Sequence, residues 1–142
     1  MKKTWLLLVG LVMGISAVQA QDIPMFILFP ANSSSLESVG TEQAIENNDV
    51  FTEVARLLAE DSRRRVLVDG HANPVIGTVR ERAILVALGQ KRAEAAADFL
   101  VRYYNINRNR IIISNAGGTL AEPGRSQAYM NRRVNFFVLE SR

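Results

Sequence analysis

The chain contains no cysteine and one histidine among its 142 residues. Without cysteine it has no disulfide, no cysteine nucleophile and no thiolate metal ligand. His71 has only Asp69 close to it in sequence, so we find no cluster of metal ligands and no Ser-His-Asp or Cys-His arrangement. Paired carboxylates for glycosidase chemistry are available by count, but no acidic pair falls on the loop that follows Gly70-His71. We therefore expect a protein with no enzymatic activity, cofactor or metal, in which His71 is a hydrogen-bonded structural residue.

Lysine is also scarce, since Lys91 is the only one after Lys2 and Lys3. The formal charge is +3, and removing those two N-terminal lysines from the 17 basic residues leaves 15 against 14 acidic residues. A balance this close to neutral does not support nucleic acid as a partner. The remaining positive charge is almost all arginine, whose planar guanidinium suits carboxylates, so single arginines become candidates for ligand binding.

Long apolar runs are absent except near the N-terminus. Lys2 and Lys3, the apolar stretch 5–12 and the small residues around Ala20 have the pattern of a secretory signal peptide. The stretch is shorter than the roughly 20 residues that a spanning helix needs, which argues against the alternative of a retained anchor. We expect residues 1–20 to be cleaved and residues 21–142 to form a single domain in the periplasm with no membrane-spanning segment.

Strand and helix patterns alternate along residues 21–142. Apolar β-branched or aromatic runs predict four strands, and positions repeating at helical spacing predict two helices. The predicted order is a strand at 25–29, a helix at about 50–60 with N-cap residues at 47–49, a strand at 66–68, a helix at about 78–104, a strand at 111–113 and a last strand in 130–138. We predict an α/β fold, an α+β sandwich of one mixed sheet covered by two main helices.

Several motifs in this arrangement are those of a known family. The second predicted strand ends in Gly70-His71, and the helix that follows carries Arg92-Ala93 within an Ala-rich stretch. Gly124-Arg125 precedes Asn131-Arg132-Arg133-Val134 at the last strand, with one residue more between them than the family pattern has. Together they resemble the OmpA-like C-terminal domain over essentially all of residues 21–142. The family's β-α-β-α-β-β fold agrees with the order predicted from periodicity.

The resemblance implies a non-catalytic, periplasmic cell-wall-binding domain. Such a domain recognises the peptide stem of peptidoglycan, chiefly its diamino acid, and helps to tether the envelope to the wall. By position, the family's ligand-binding residues fall on Asn32, Asn73, Arg92 and Arg132. Each arginine can form a bidentate pair with a stem carboxylate, and a helix N-terminus beside the loop adds positive potential. Peptidoglycan is the implied partner, with outer-membrane or other envelope proteins as further partners and association with the outer membrane as a further location.

The chain departs from the family pattern at the expected site. The family's GHTD loop is GHAN here, so Asn73 replaces an aspartate, and Leu85 replaces a helix asparagine. The spacing from Asn73 to Arg92 is also about one helical turn longer. A charge-assisted hydrogen bond is worth roughly 1.5–3 kcal/mol, so losing the carboxylate at position 73 lowers affinity for an ammonium about 10- to 100-fold.

These departures leave an alternative open, a scaffold or protein-interaction domain with weakened or lost peptidoglycan binding. Each site residue also has an ordinary structural explanation. Asn32 and Asn73 suit turns, and Arg92 could pair with Glu94 or Asp98 on the helix surface for only about 0.3–0.5 kcal/mol. Arg133 alternates to the other face of its strand and is expected to be structural.

Overall fold

The computed structural model describes residues 25–72, 78–117 and 130–140. Four strands and two long helices follow one another in the predicted order. They are β1 (Phe26–Leu28), α1 (Thr41–Glu60), β2 (Arg65–His71), α2 (Val79–Tyr104), β3 (Ile111–Gly117) and β4 (Arg133–Leu139), with short 3-10 helices at Leu36–Ser38 and Arg108–Arg110.

The strands form one mixed sheet in the order β1-β4-β2-β3. β2 and β3 are parallel, with Val66 opposite Ile111. β4 is antiparallel to both of its neighbours, so that Ile27 of β1 lies opposite Val134 and Val68 of β2 lies opposite Phe136. The predicted single mixed sheet with two main helices is therefore confirmed.

Alternation along the strands directs one apolar row toward the helices. Buried residues of this row pack against Val54 and Leu58 of α1 and against the small residues of α2, which bring that helix close to the sheet. Phe51 stacks on Phe99 with ring centroids 4.3 Å apart and so joins the two helices. The inward row consists of Ile27, Val66, Val68, Val134 and Phe136.

The first helix begins earlier than predicted, at Thr41 instead of about Val50. Asn47 therefore lies within the helix and is buried, not at its N-cap. Its side chain accepts a hydrogen bond from the Leu28 amide at 3.0 Å and donates one to the Leu28 carbonyl at 2.9 Å. Asn47, which by its local sequence indicates a helix start, instead joins α1 to strand β1 through these two hydrogen bonds.

The second helix agrees with the predicted 78–104. Thr78 is its N-cap in a reciprocal capping box, because its hydroxyl accepts from the Glu81 amide while Glu81 accepts from the Thr78 amide at 2.6 Å. Asn105 ends the helix in the left-handed conformation at φ 54°. Within the described residues, no helix is both long and apolar enough to cross a membrane.

The strand bounds also differ from the predictions. β2 and β3 are longer, since β2 reaches His71 and β3 continues to Gly117, while β4 begins at Arg133 instead of at 130. Residues 114–117, which lie beyond the predicted strand at 111–113, are thus the end of that strand. Backbone pairing with β2 extends the β3 strand through polar residues that carry no strand signal of their own.

Two glycines set how closely α2 approaches the sheet. A Cβ atom at Gly70 of β2 would lie 1.9 Å from the carbonyl oxygen of Gly89 in α2, a distance that no real side chain allows. The helix and the strand therefore touch through their backbones at this point. Arg92 lies three residues after Gly89, so this contact fixes where its side chain leaves the helix.

Candidate ligand-binding site

Arg92 is the largest fully buried side chain of the protein's described part, at 1% exposure. Its Nε donates to the Ser33 carbonyl at 2.8 Å, Nη1 to the His71 carbonyl at 2.9 Å and Nη2 to the Pro30 carbonyl at 3.1 Å. The guanidinium carbon lies 5.6 Å from the centre of the Phe29 ring. One arginine thus joins α2, the end of β2 and the segment after β1. The alternative of a surface pair with Glu94 or Asp98 is wrong, because the side chain points inward.

Burial shifts the ionisation of Arg92. Desolvation, aided by the nearby positive charge of Arg132, lowers the pKa of Arg92 to about 10. The guanidinium stays protonated at neutral pH. Among the described residues, no carboxylate lies against either arginine. Two cations held close together, with no counter-ion among the residues that the structure describes, are a local source of positive potential, which favours an anionic ligand.

The segment after β1 is shaped by its own turn and by Arg92. Asn32 is exposed and has φ 54°, a left-handed conformation that asparagine adopts more readily than most residues. The Ser33 amide donates to the Pro30 carbonyl at 3.4 Å, and the Ser35 amide donates to the Ser33 hydroxyl at 3.0 Å. The backbone conformation therefore gives Asn32 a structural role beside its predicted ligand role.

Arg132 immediately precedes β4 and lies next to this segment. Its carbonyl accepts a hydrogen bond from the Phe29 amide at 2.7 Å. Its Nε is buried and has no hydrogen-bond partner in the described part of the chain. The side chain lines a cavity of about 190 Å³ together with Pro30 and with Gly40 and Gln43 at the start of α1.

The helix N-terminus beside this cavity is that of α1. Gly40 is its N-cap and supplies no side-chain hydrogen bond, so the first amides of α1 add positive potential near Arg132. The N-terminus of α2 was the expected source, but the Glu81 carboxylate already occupies it. The positive end of a helix is thus present beside the site, but it belongs to α1 and not to α2.

The predicted residues are partly brought together. Arg92 and Arg132 lie close enough for their charges to interact, and Asn32 belongs to the turn that Arg92 holds. Asn73 lies outside the described residues, and Leu85 is a half-buried residue of α2. Phe29, Pro30 and Ser33 were missed, because the sequence offered only an apolar run ending in proline and a polar turn.

His71 is buried at 1% exposure, and its Nε2 lies 2.9 Å from Oδ2 of Asp69, as expected for a hydrogen-bonded structural histidine. Asn135 Nδ2 lies 3.2 Å from the same nitrogen, and Nδ1 has no partner among the described residues. Arg133 of β4 bonds to the Met130 carbonyl and to Asn135, which agrees with its expected structural role. Among the described residues, no group of three or more potential ligands is placed to hold a metal.

The ionisation of His71 makes stability depend on pH. Burial lowers the pKa of His71, with the charge of Arg133 adding to the effect and Asp69 opposing it. In the unfolded chain the pKa returns to about 6.5, so the unfolded state binds the proton first as the pH falls. We expect the free energy of unfolding to decrease from pH 7 toward pH 5. Urea unfolding should show a smaller decrease in His71→Gln, and an equal decrease in both proteins would contradict this assignment.

Solved structures with the same arrangement were found by comparison. The peptidoglycan-associated lipoprotein from Burkholderia pseudomallei matches with a TM-score of 0.62 at 21% identity, over 80% of this chain and 89% of that chain. The C-terminal domain of Helicobacter pylori MotB matches with a TM-score of 0.62 at 18% identity, over 82% and 84%. The OmpA-like domain of FopA1 from Francisella tularensis matches with a TM-score of 0.61 at 16% identity, over 80% and 70%.

The fold is OmpA-like. TM-scores of 0.61–0.62 establish this fold, and identities of 16–21% do not by themselves carry a function. A scan against protein-family models gives no match, and neither does a search of curated proteins. The two arginines and the loop that they adjoin are the features of this chain that bear on its function.

Proposed function

We propose that the chain is a non-catalytic, periplasmic cell-wall-binding domain that recognises the peptide stem of peptidoglycan and helps to tether the envelope to the wall. The observation that carries the proposal is that the buried Arg92 lies near a second cation, Arg132. In the described part of the chain, no carboxylate lies against either residue. A stem that ends in carboxylates supplies an anion for these two cations. One of the solved structures with this fold is named a peptidoglycan-associated lipoprotein, which supports the same ligand.

Within this proposal the two arginines have different tasks. Arg92 uses Nε, Nη1 and Nη2 once each to hold three backbone carbonyls, so two of its five N–H groups are left over. It positions the loop and supplies charge. Arg132, which lines the cavity, is the residue proposed to bond a stem carboxylate directly. We also propose that Asn32 and Asn73 contact the ligand, because both are close in sequence to residues that bond to Arg92.

A second candidate function has its own supporting observation. Because all three guanidinium nitrogens of Arg92 already donate to the backbone, the residue has a complete structural role without any ligand. That is what a scaffold domain that kept the fold and lost peptidoglycan binding would retain. The substitutions at Asn73 and Leu85 favour the same interpretation.

Calorimetric titration with a synthetic stem peptide separates the two candidates. We expect the wild type to bind and Arg132→Ala to bind about tenfold more weakly or worse, since a charged hydrogen bond is worth roughly 1.5–3 kcal/mol. Arg63→Ala is the matched control, because Arg63 is exposed and its pair with Asp61 lies at the surface. Equal affinity of Arg132→Ala and wild type would remove Arg132 from the site, and no binding by the wild type would favour the scaffold.

A further inference from the structure

A second and larger concavity lies beside the loop that Arg92 holds. It has a volume of about 380 Å³ and runs between residues 34–37 and the C-terminal half of α2. This volume is within the range of small-molecule sites. Neither Arg92 nor Arg132 lines this groove, so it is distinct from the site proposed above.

The helix side of the groove presents aromatic surface. Tyr103 is 62% exposed, and its ring centroid lies 4.6 Å from that of Phe99 at an angle of 44°. Phe99 is in turn stacked on Phe51 in the core. Packing against the core fixes the Phe99 ring, and Phe99 in turn supports the solvent-exposed ring of Tyr103. Tyr103 therefore offers a rigid apolar face with a hydroxyl at its edge.

The polar groups around these rings have both signs. Glu37 and Asp98 supply carboxylate acceptors, and Arg102 supplies donors. An ionic ligand of either sign would meet a like charge in this groove. A neutral ligand with many hydroxyl groups can bond to both kinds of side chain, because a hydroxyl donates to a carboxylate and accepts from a guanidinium. An apolar ring face edged by hydroxyls is the chemistry of a pyranose sugar.

The segment between β1 and α1 borders both the groove and the cavity of the proposed stem site. Ser33 bonds to Arg92 through its carbonyl and to the Ser35 amide through its hydroxyl, and Ser34 and Ser35 line the groove. A ligand spanning both places would carry carboxylates at one end and sugar rings at the other. Peptidoglycan, in which peptide stems branch from a glycan strand, has that composition.

We propose that the groove bounded by Glu37, Asp98 and Tyr103 is a subsite for the glycan strand next to the bound stem. This inference rests on the proposed function, because peptidoglycan is taken as the ligand. It adds sugar to the chemistry that the domain recognises. It also makes Tyr103 and Asp98 ligand-contacting residues, although neither belongs to the four residues assigned from sequence.

The test compares two ligands on the same purified protein, a free stem peptide and a disaccharide–stem muropeptide. We expect the wild type to bind the muropeptide about three- to tenfold more tightly than the peptide, which is the gain that one aromatic contact with its hydrogen bonds gives. Tyr103→Ala and Asp98→Asn should lose this gain and keep the affinity for the peptide. Phe137→Ala is the control, since Phe137 is an aromatic residue 49% exposed on the opposite face of the sheet.

The outcomes separate the two proposals. Equal wild-type affinity for both ligands overturns the glycan subsite and leaves the stem site standing, as does a muropeptide preference that survives in both variants. Binding of the muropeptide without binding of the free peptide, lost in Tyr103→Ala, supports the subsite while contradicting stem recognition. A wild type that binds neither ligand overturns both. Thermal unfolding of each variant should match the wild type, because Tyr103 and Asp98 are exposed.

Discussion

Replacing Arg92 with alanine should lower the free energy of unfolding by about 3–5 kcal/mol and lower Tm by roughly 10–20 °C. The substitution removes three hydrogen bonds from a charged donor and leaves the carbonyls of Pro30, Ser33 and His71 without that partner. It also leaves a cavity in a closely packed region, which adds to the loss. Urea and thermal unfolding followed by circular dichroism would measure the change.

Two further variants show whether geometry or charge is responsible. Arg92→Lys keeps the charge but cannot reach three carbonyls in different directions, so it should recover less than half of the lost stability. Arg82→Ala, an exposed arginine earlier on the same helix, should change stability by no more than about 0.5 kcal/mol. A loss below about 1 kcal/mol in Arg92→Ala would mean that Arg92 does not hold the three chain segments together.

The second large effect is expected from Gly70→Ala. The new Cβ would lie 1.9 Å from the Gly89 oxygen, 2.7 Å from the Gly89 carbonyl carbon and 3.1 Å from Cβ of Ala93. Two of these atoms are backbone and cannot rotate away, so α2 would have to move off the sheet and take Arg92 with it. We expect a loss of at least about 4 kcal/mol, seen as a protein that is largely unfolded or insoluble on expression.

Gly40→Ala is the matched control for this substitution. A Cβ atom at Gly40 would have no other atom within 4 Å, and the residue has φ −63°, which alanine adopts easily. Its stability should stay within about 0.5 kcal/mol of the wild type, since a poorer N-cap and a less flexible unfolded chain act in opposite directions. Similar stability of Gly70→Ala and Gly40→Ala would contradict the close backbone contact between β2 and α2.

The elements that the sequence predicts well are those with local signals. The apolar runs at 66–68 and 111–113 lie in strands, and the long helix begins at a Thr78 cap and ends at Asn105. The start of α1 was misplaced because Asn47 has a local preference for N-caps. Its actual partner is Leu28, 19 residues earlier, which no local pattern reveals.

In the candidate site, too, local sequence indicates a residue but not its distant partners. The motif around Arg92 indicated the residue, but its partners lie 21, 59 and 62 residues away in the chain. Their convergence depends on the sheet order and on the Gly70–Gly89 contact. The sequence therefore named the two arginines as candidates, and it did not reveal that Arg92 holds the loop next to which Arg132 lies.

The most direct test of wall binding is co-sedimentation of the purified protein with isolated sacculi. Two kinds of wall should be used, one with diaminopimelate and one with another diamino acid, beside the variants Arg132→Ala and Arg63→Ala. Arg132→Ala is preferred to Arg92→Ala, because a lost fold would also abolish binding. We predict that the wild type and Arg63→Ala sediment with at least one wall, that Arg132→Ala stays in solution, and that diaminopimelate is not strongly preferred, since position 73 is asparagine. A wild type that stays in solution with both walls would contradict the proposed function.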